Sequence, residues 1–204
     1  MALPMIHLLA AYEWAQDKPE YASCPEYYLG TISPDAMHIR DGNDKSRKNE
    51  FHLNNWRTPD PDAVVEYWRA HFTPFDVGYG IHVLLDGHWA TGFRRDFPGL
   101  LLPSGRPDPE IYYNDTFTAD YRLYHESSRT DFFLEMLRRA EAPDDHPLLT
   151  QSEIEGWKQW TFDFYKNKKP TGKPVRFIDT EYIERFLRIC PAIFNEVYER
   201  MEEK

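Results

Sequence analysis

Apolar residues along this chain recur at spacings of three and four, and alternating apolar/polar stretches are short and few, so the pattern predicts helices rather than strands. An apolar run from Met5 to Ala15 predicts a first helix, with His7 out of place on it unless partnered. Asp60-Pro61-Asp62 supplies an N-cap, a proline at the first helical position and an early acid ahead of Ala63 to Phe72. The segment that begins near Phe75 and runs through Gly-Tyr-Gly-Ile-His-Val-Leu-Leu-Asp-Gly-His-Trp is apolar on most sides, which predicts a central helix. Ser128 with Asp131 and Ser152 with Glu155 resemble capping boxes opening two more helices, the second with Trp157, Trp160 and Phe164 on one face. Tyr182, Phe186, Ile189, Ile193 and Val197 form a core stripe at helical spacing, and Pro191, which lacks an N–H, predicts a kink or break there. The resulting expectation is an all-α, single helical bundle over residues 1–204, with long loops.

Two stretches fall outside this pattern. Asp41 to Glu50 is almost wholly polar, and Thr91 to Glu110 holds four prolines and three glycines. A structureless loop above ~15 residues is usually functional or mobile, so the second is expected to act as a lid. Within it Arg94, Arg95 and Arg106 are placed to clamp a phosphate.

Composition narrows the partners. The 204 residues include 34 acidic and 24 basic side chains, a formal charge of −10 that repels nucleic acid and anionic bilayers. No run approaches the ~20 apolar residues of a membrane helix, and Met1 to Ala10 lacks the basic flank of a secretory signal, so a cytoplasmic protein is expected. Cys24 and Cys190 lie far apart in no metal-binding spacing and read as two reduced thiols.

The candidate chemistry gathers on the central helix. His82 and Asp86 are four apart, hence on one face, and ionisable groups on an apolar helix need a partner to offset desolvation. A metal ion and a buried ion pair are both open. Asp35 and His38 follow a Ser-Pro turn, and His52 lies just beyond the polar stretch. Singly these read as turn or surface residues; together they are the imidazoles and carboxylates that Zn²⁺ and similar ions accept. His88 points about 200° away from Asp86 on a helix, and His71 and His146 read as surface residues.

His7 in Ile-His-Leu-Leu, the run Tyr28-Leu-Gly-Thr-Ile-Ser-Pro-Asp-Ala-Met-His38, His52 in Phe-His-Leu, and Gly80-Ile-His-Val-Leu-Leu-Asp86 resemble successive motifs of the zinc-dependent phospholipase C family, in particular its small intracellular bacterial branch. A weaker echo lies in Asp120-Tyr-Arg-Leu-Tyr124. The resemblance implies an all-helical fold, a metal cluster among the helices and a phosphoester substrate. It implies His7, His52, His82 and Asp86 as metal ligands, and Asp35 as a ligand or the base that activates water. The sequence departs from the family in its internal Trp14 and in having no Glu four residues after any of its eight histidines. One or two divalent ions, zinc by the ligand type, are therefore expected rather than three, with His38, Asp120 or His125 replacing the missing ligands. The expected function is metal-dependent hydrolysis of a small-molecule phosphoester. The alternative is a non-catalytic helical binding or structural protein that keeps the His/Asp cluster for stability.

Overall fold

The computed structural model describes residues 2–42, 44–54 and 56–202. Helices make up 70% of the chain and no strand forms among the described residues, as an all-α reading requires. The helices are α1 (Pro4–Ala15), α2 (Pro19–Ala22), α3 (Pro25–Gly30), α4 (Met37–Asp41), α5 (Lys48–Phe51) and α6 (Pro61–Ala70). They continue with α7 (Pro74–Asp96), α8 (Pro109–Glu126), α9 (Thr130–Arg139), α10 (Gln151–Asn167) and α11 (Thr180–Glu202). None is long and apolar enough to cross a membrane.

The central helix α7 is buried along nearly its whole length. Thr73 and Asp76 close a reciprocal capping box at its start. Asp76 also accepts from the Tyr67 hydroxyl at 2.7 Å, and Tyr67 meets His146 Nε2 at 2.9 Å. His146 is thus not a surface residue. Its Nδ1 accepts the N–H groups of Leu148 and Leu149, and burial pulls the imidazole down to about 4, so it stays neutral.

Helix α3 crosses α7 at backbone contact. A Cβ at Gly30 would lie 2.1 Å from the Phe75 carbonyl oxygen, and one at Gly78 would lie 2.1 Å from that of Tyr27. No side chain fits between these helices. Helix α1 packs on α11, where Trp14 Nε1 donates to Asn195 Oδ1 at 2.8 Å. Its own N-cap, Leu3, has no side-chain acceptor, so the first orphan N–H groups are satisfied from a distance. Ile6 donates to Asp120 Oδ1 at 3.1 Å and Met5 to the Tyr165 hydroxyl at 3.0 Å.

Several local expectations change. The capping box of α10 is Thr150 with Glu153, two residues before the expected pair, and α9 starts without a side-chain cap at Arg129. The buried stripe of α11 runs through Tyr182, Ile183, Phe186, Leu187, Cys190, Phe194 and Val197, whereas Ile189 is 51% exposed. Pro191 lies inside α11 without breaking it. The stretch from Thr91 to Glu110 is no long loop: α7 runs on to Asp96, and Leu101 and Pro107 form an isolated bridge before α8. Cys24 and Cys190 are both free, as expected.

The Gly30/Gly78 crossing yields a direct test. Alanine is the better helix former, yet Gly78→Ala is expected to lower stability by about 1–3 kcal/mol because its methyl forces two backbones apart. Urea unfolding of the purified variant measures the difference.

Candidate metal centre

Three elements deliver one buried cluster. Asp35 sits in a 3-10 turn, Ser33–Ala36, fixed by the Ser33 hydroxyl bonding the Leu29 carbonyl at 2.7 Å. His82 and Asp86 come from one face of α7, as their spacing requires. Lys48 and His52, also four apart, face them from the single turn of α5 and its C-cap. That turn is held by the Tyr79 hydroxyl, which donates to the Phe51 carbonyl at 2.5 Å. The chain then reverses through Leu53 and Asn54, both at positive φ (50° and 62°), a conformation uncommon for residues other than glycine.

Asp35, His52, His82 and Asp86 each offer a ligand atom, and these atoms lie within 4.8 Å of one another. His52 Nε2 is 3.5 Å from Asp35 Oδ1, 3.4 Å from Asp86 Oδ2 and 3.3 Å from His82 Nε2. His82 Nδ1 lies 2.8 Å from the Thr31 carbonyl, which only accepts, so the ring proton belongs on Nδ1. That leaves the lone pair of Nε2 facing both carboxylates, 3.9 Å from each. A histidine whose other nitrogen is fixed by a backbone carbonyl is preset as a metal ligand. Burial, reinforced by His7, drives the His82 imidazole well below its usual range despite the two carboxylates, which keeps it neutral.

Lys48 is the residue that sequence reasoning missed. Its side chain is buried, with Nζ 3.0 Å from Asp35 Oδ1 and 3.2 Å from Asp86 Oδ2. Burial alone would raise both carboxyl groups, but the ammonium overrides it and holds each well below the ordinary carboxylate range. Burial likewise pulls against the ammonium, and the two carboxylates outweigh it, raising Lys48 above the usual lysine value. Lys48 and His52 share the four-residue spacing of His82 and Asp86, but the stretch reads as solvated and nothing in that spacing marks the lysine as buried.

The remaining expected residues divide. His7 reaches the edge of the cluster: its ring stacks on His82 with centroids 3.7 Å apart, and Nε2 is 3.6 Å from Asp86 Oδ1. Neither His7 nitrogen has a hydrogen-bond partner among the described residues. Asp120 is not brought into the cluster, because its oxygens serve Ile6 and the Tyr165 hydroxyl; burial raises its carboxyl to about 7. His38 is engaged with the Gly42 carbonyl that ends α4, and His125 is exposed beside Tyr121 and Tyr124. Arg94 and Arg95 stand on α7 rather than on a lid. Arg94 bonds the Ala90 carbonyl, while Arg95 pairs with Asp96 and lines a cleft with Tyr182 and Arg185 instead of the one described next.

A cleft of about 760 Å³ lies against α1, α4, α8 and α10. Trp157, Trp160, Phe164, Phe117 and Tyr113 line it, with Lys45, Lys168 and Lys173 as its cations. Trp157 and Trp160 stack at 4.1 Å. Leu3 forms part of the wall, and the preceding Ala2 donates its N–H to Asp86 Oδ1 at 3.0 Å, so the cleft lies one residue along the chain from a contact to the cluster. Searches of protein-family models, curated proteins and solved structures find no match to this chain.

The neutral His82 sets a pH dependence in metal-free protein. Its folded value lies below its unfolded one, so the unfolded chain takes up a proton that the folded protein refuses. Stability is expected to fall as pH drops below ~6.5, with His82 contributing a slope approaching 1.4 kcal/mol per pH unit. Chemical denaturation at pH 7.5 and 5.0, with His82→Asn as comparison, reads that contribution; an unchanged slope in the variant removes it.

Proposed function

We propose that this protein is a metal-dependent hydrolase of a phosphoester, built on Asp35, His52, His82 and Asp86, with zinc as the ion the donor set favours. The observation that carries the reading is the fixed tautomer of His82, which turns an imidazole lone pair towards two ionised carboxylates in a buried site. Nδ1 of His52 and the nitrogens of His7 are buried without a hydrogen-bond partner among the described residues, which leaves each ring a nitrogen available to an ion. The ordered motifs that resemble the zinc-dependent phospholipase C family point the same way.

A bound divalent ion would supply a water of lowered pKa and offset developing phosphoryl charge. Asp35 lies on its own turn, apart from the α7 pair, and would take the proton from water, although the Lys48 ammonium that keeps it ionised also lowers its basicity. His82 and Asp86 would hold the ion from α7 and His52 from α5. The cleft would receive the ester: Lys45 and Lys168 offset the protein's negative charge locally, Lys173 being paired with Glu110 on the same wall, and the aromatic side chains take an apolar group.

One observation favours the rival reading, a non-catalytic helical protein. Lys48 already neutralises part of the charge on Asp35 and Asp86, so the cluster holds together as an ion-pair network.

Asp35→Asn separates the roles. As the base, its loss is expected to cut phosphoesterase turnover by about 10²–10⁴-fold at unchanged metal content, read by a chromogenic phosphoester assay beside elemental analysis. Metal loss in the variant makes Asp35 a ligand instead. No chelator-sensitive turnover in metal-loaded wild type leaves the structural reading.

A further inference from the structure

Lys48 Nζ and His52 Nε2 converge on the same two oxygens, Asp35 Oδ1 and Asp86 Oδ2. An ammonium bridging two carboxylates in this way stands where a bridging metal ion would stand. The charges on the bridged groups say the same: two carboxylates and one ammonium sum to −2 + 1 = −1. One divalent ion takes that total to +1. A second takes it to +3 in a buried site with no other acid in the group, where uncompensated charge costs several kcal/mol per ion.

We propose that the Lys48 ammonium permanently fills one cation position of the cluster, so the site takes one divalent ion fewer than its carboxylates and imidazoles would otherwise hold. This rests on reading the cluster as a metal site. Lys48 is accordingly a residue that sets ion number and is distinct from the ligands. Its neighbours fix it there: Phe51, three residues on, is tied to α7 by Tyr79, and Nζ also lies 5.5 Å from the Trp56 ring centre.

The test counts ions. Wild type, Lys48→Met and Lys48→Arg are stripped with chelator, dialysed against the same free Zn²⁺ and measured by elemental analysis, with circular dichroism for folding. Lys48→Met is expected to hold one more Zn²⁺ per chain than wild type, and Lys48→Arg, which keeps the cation, the wild-type number. Lys48→Gln replaces Lys48→Met if the latter does not fold. Equal numbers in wild type and the neutral variant overturn the proposal while leaving a metal site standing. No ion in wild type but one in the neutral variant upholds it and removes the metal from the natural protein instead. No ion in either removes both. Neutral variants that stay unfolded in excess Zn²⁺ also overturn it, since an ion able to take the ammonium's place would restore the neutralisation.

Discussion

Two ionised carboxylates lie in the interior of this protein, and much of the surrounding architecture follows from neutralising them. Moving such a charge out of water costs several kcal/mol unless a partner of opposite sign is held against it. Lys48 provides that partner for both Asp35 and Asp86. Its ammonium is equally costly to bury alone, so the three groups hold one another in place. This accounts for a short polar segment folding inwards as α5, and for the two left-handed residues, Leu53 and Asn54, that turn the chain out again.

The frame around this triad includes one crossing at backbone contact. Gly30 and Gly78 let α3 and α7 touch, and that approach carries the Thr31 carbonyl to His82 Nδ1. Thus a close helix crossing decides which nitrogen of a histidine keeps its proton. Helix α1 is attached in the same indirect manner. Ala2 bonds Asp86, while Asp120 and Tyr165 satisfy the N–H groups that Leu3 cannot cap. His7 therefore meets His82 because the start of its helix is held from outside it.

The cluster is buried, whereas the aromatic cleft is open to the surface. The cluster gathers the ionisable groups where desolvation strengthens every charge interaction. The cleft places lysines beside stacked indoles. Leu3 lines the cleft and the adjacent Ala2 bonds Asp86, while none of the four cluster residues lines the cleft.

The sequence by itself determined the class of fold and half of the cluster. Three-and-four periodicity, the Asp60 cap and the apolar central helix are local signals, and helices form from local spacing. The His82/Asp86 pair was legible because a fixed spacing on one helix leaves no freedom in which face the residues share. Asp35 and His52 were legible as ligand types, yet nothing in their local pattern placed them together. What only the tertiary structure decided was the position of Lys48, the tautomer of His82 and the removal of Asp120 and His38 from the group. The stretch from Asp41 to Glu50 reads as solvated because its composition is polar, and a buried lysine betrays itself only through carboxylates brought to it from residues 35 and 86. Likewise Asp120 reads as a ligand until the uncapped end of α1 claims its oxygens. Charge pairing across the fold is a long-range condition, and spacing along the chain carries no record of it.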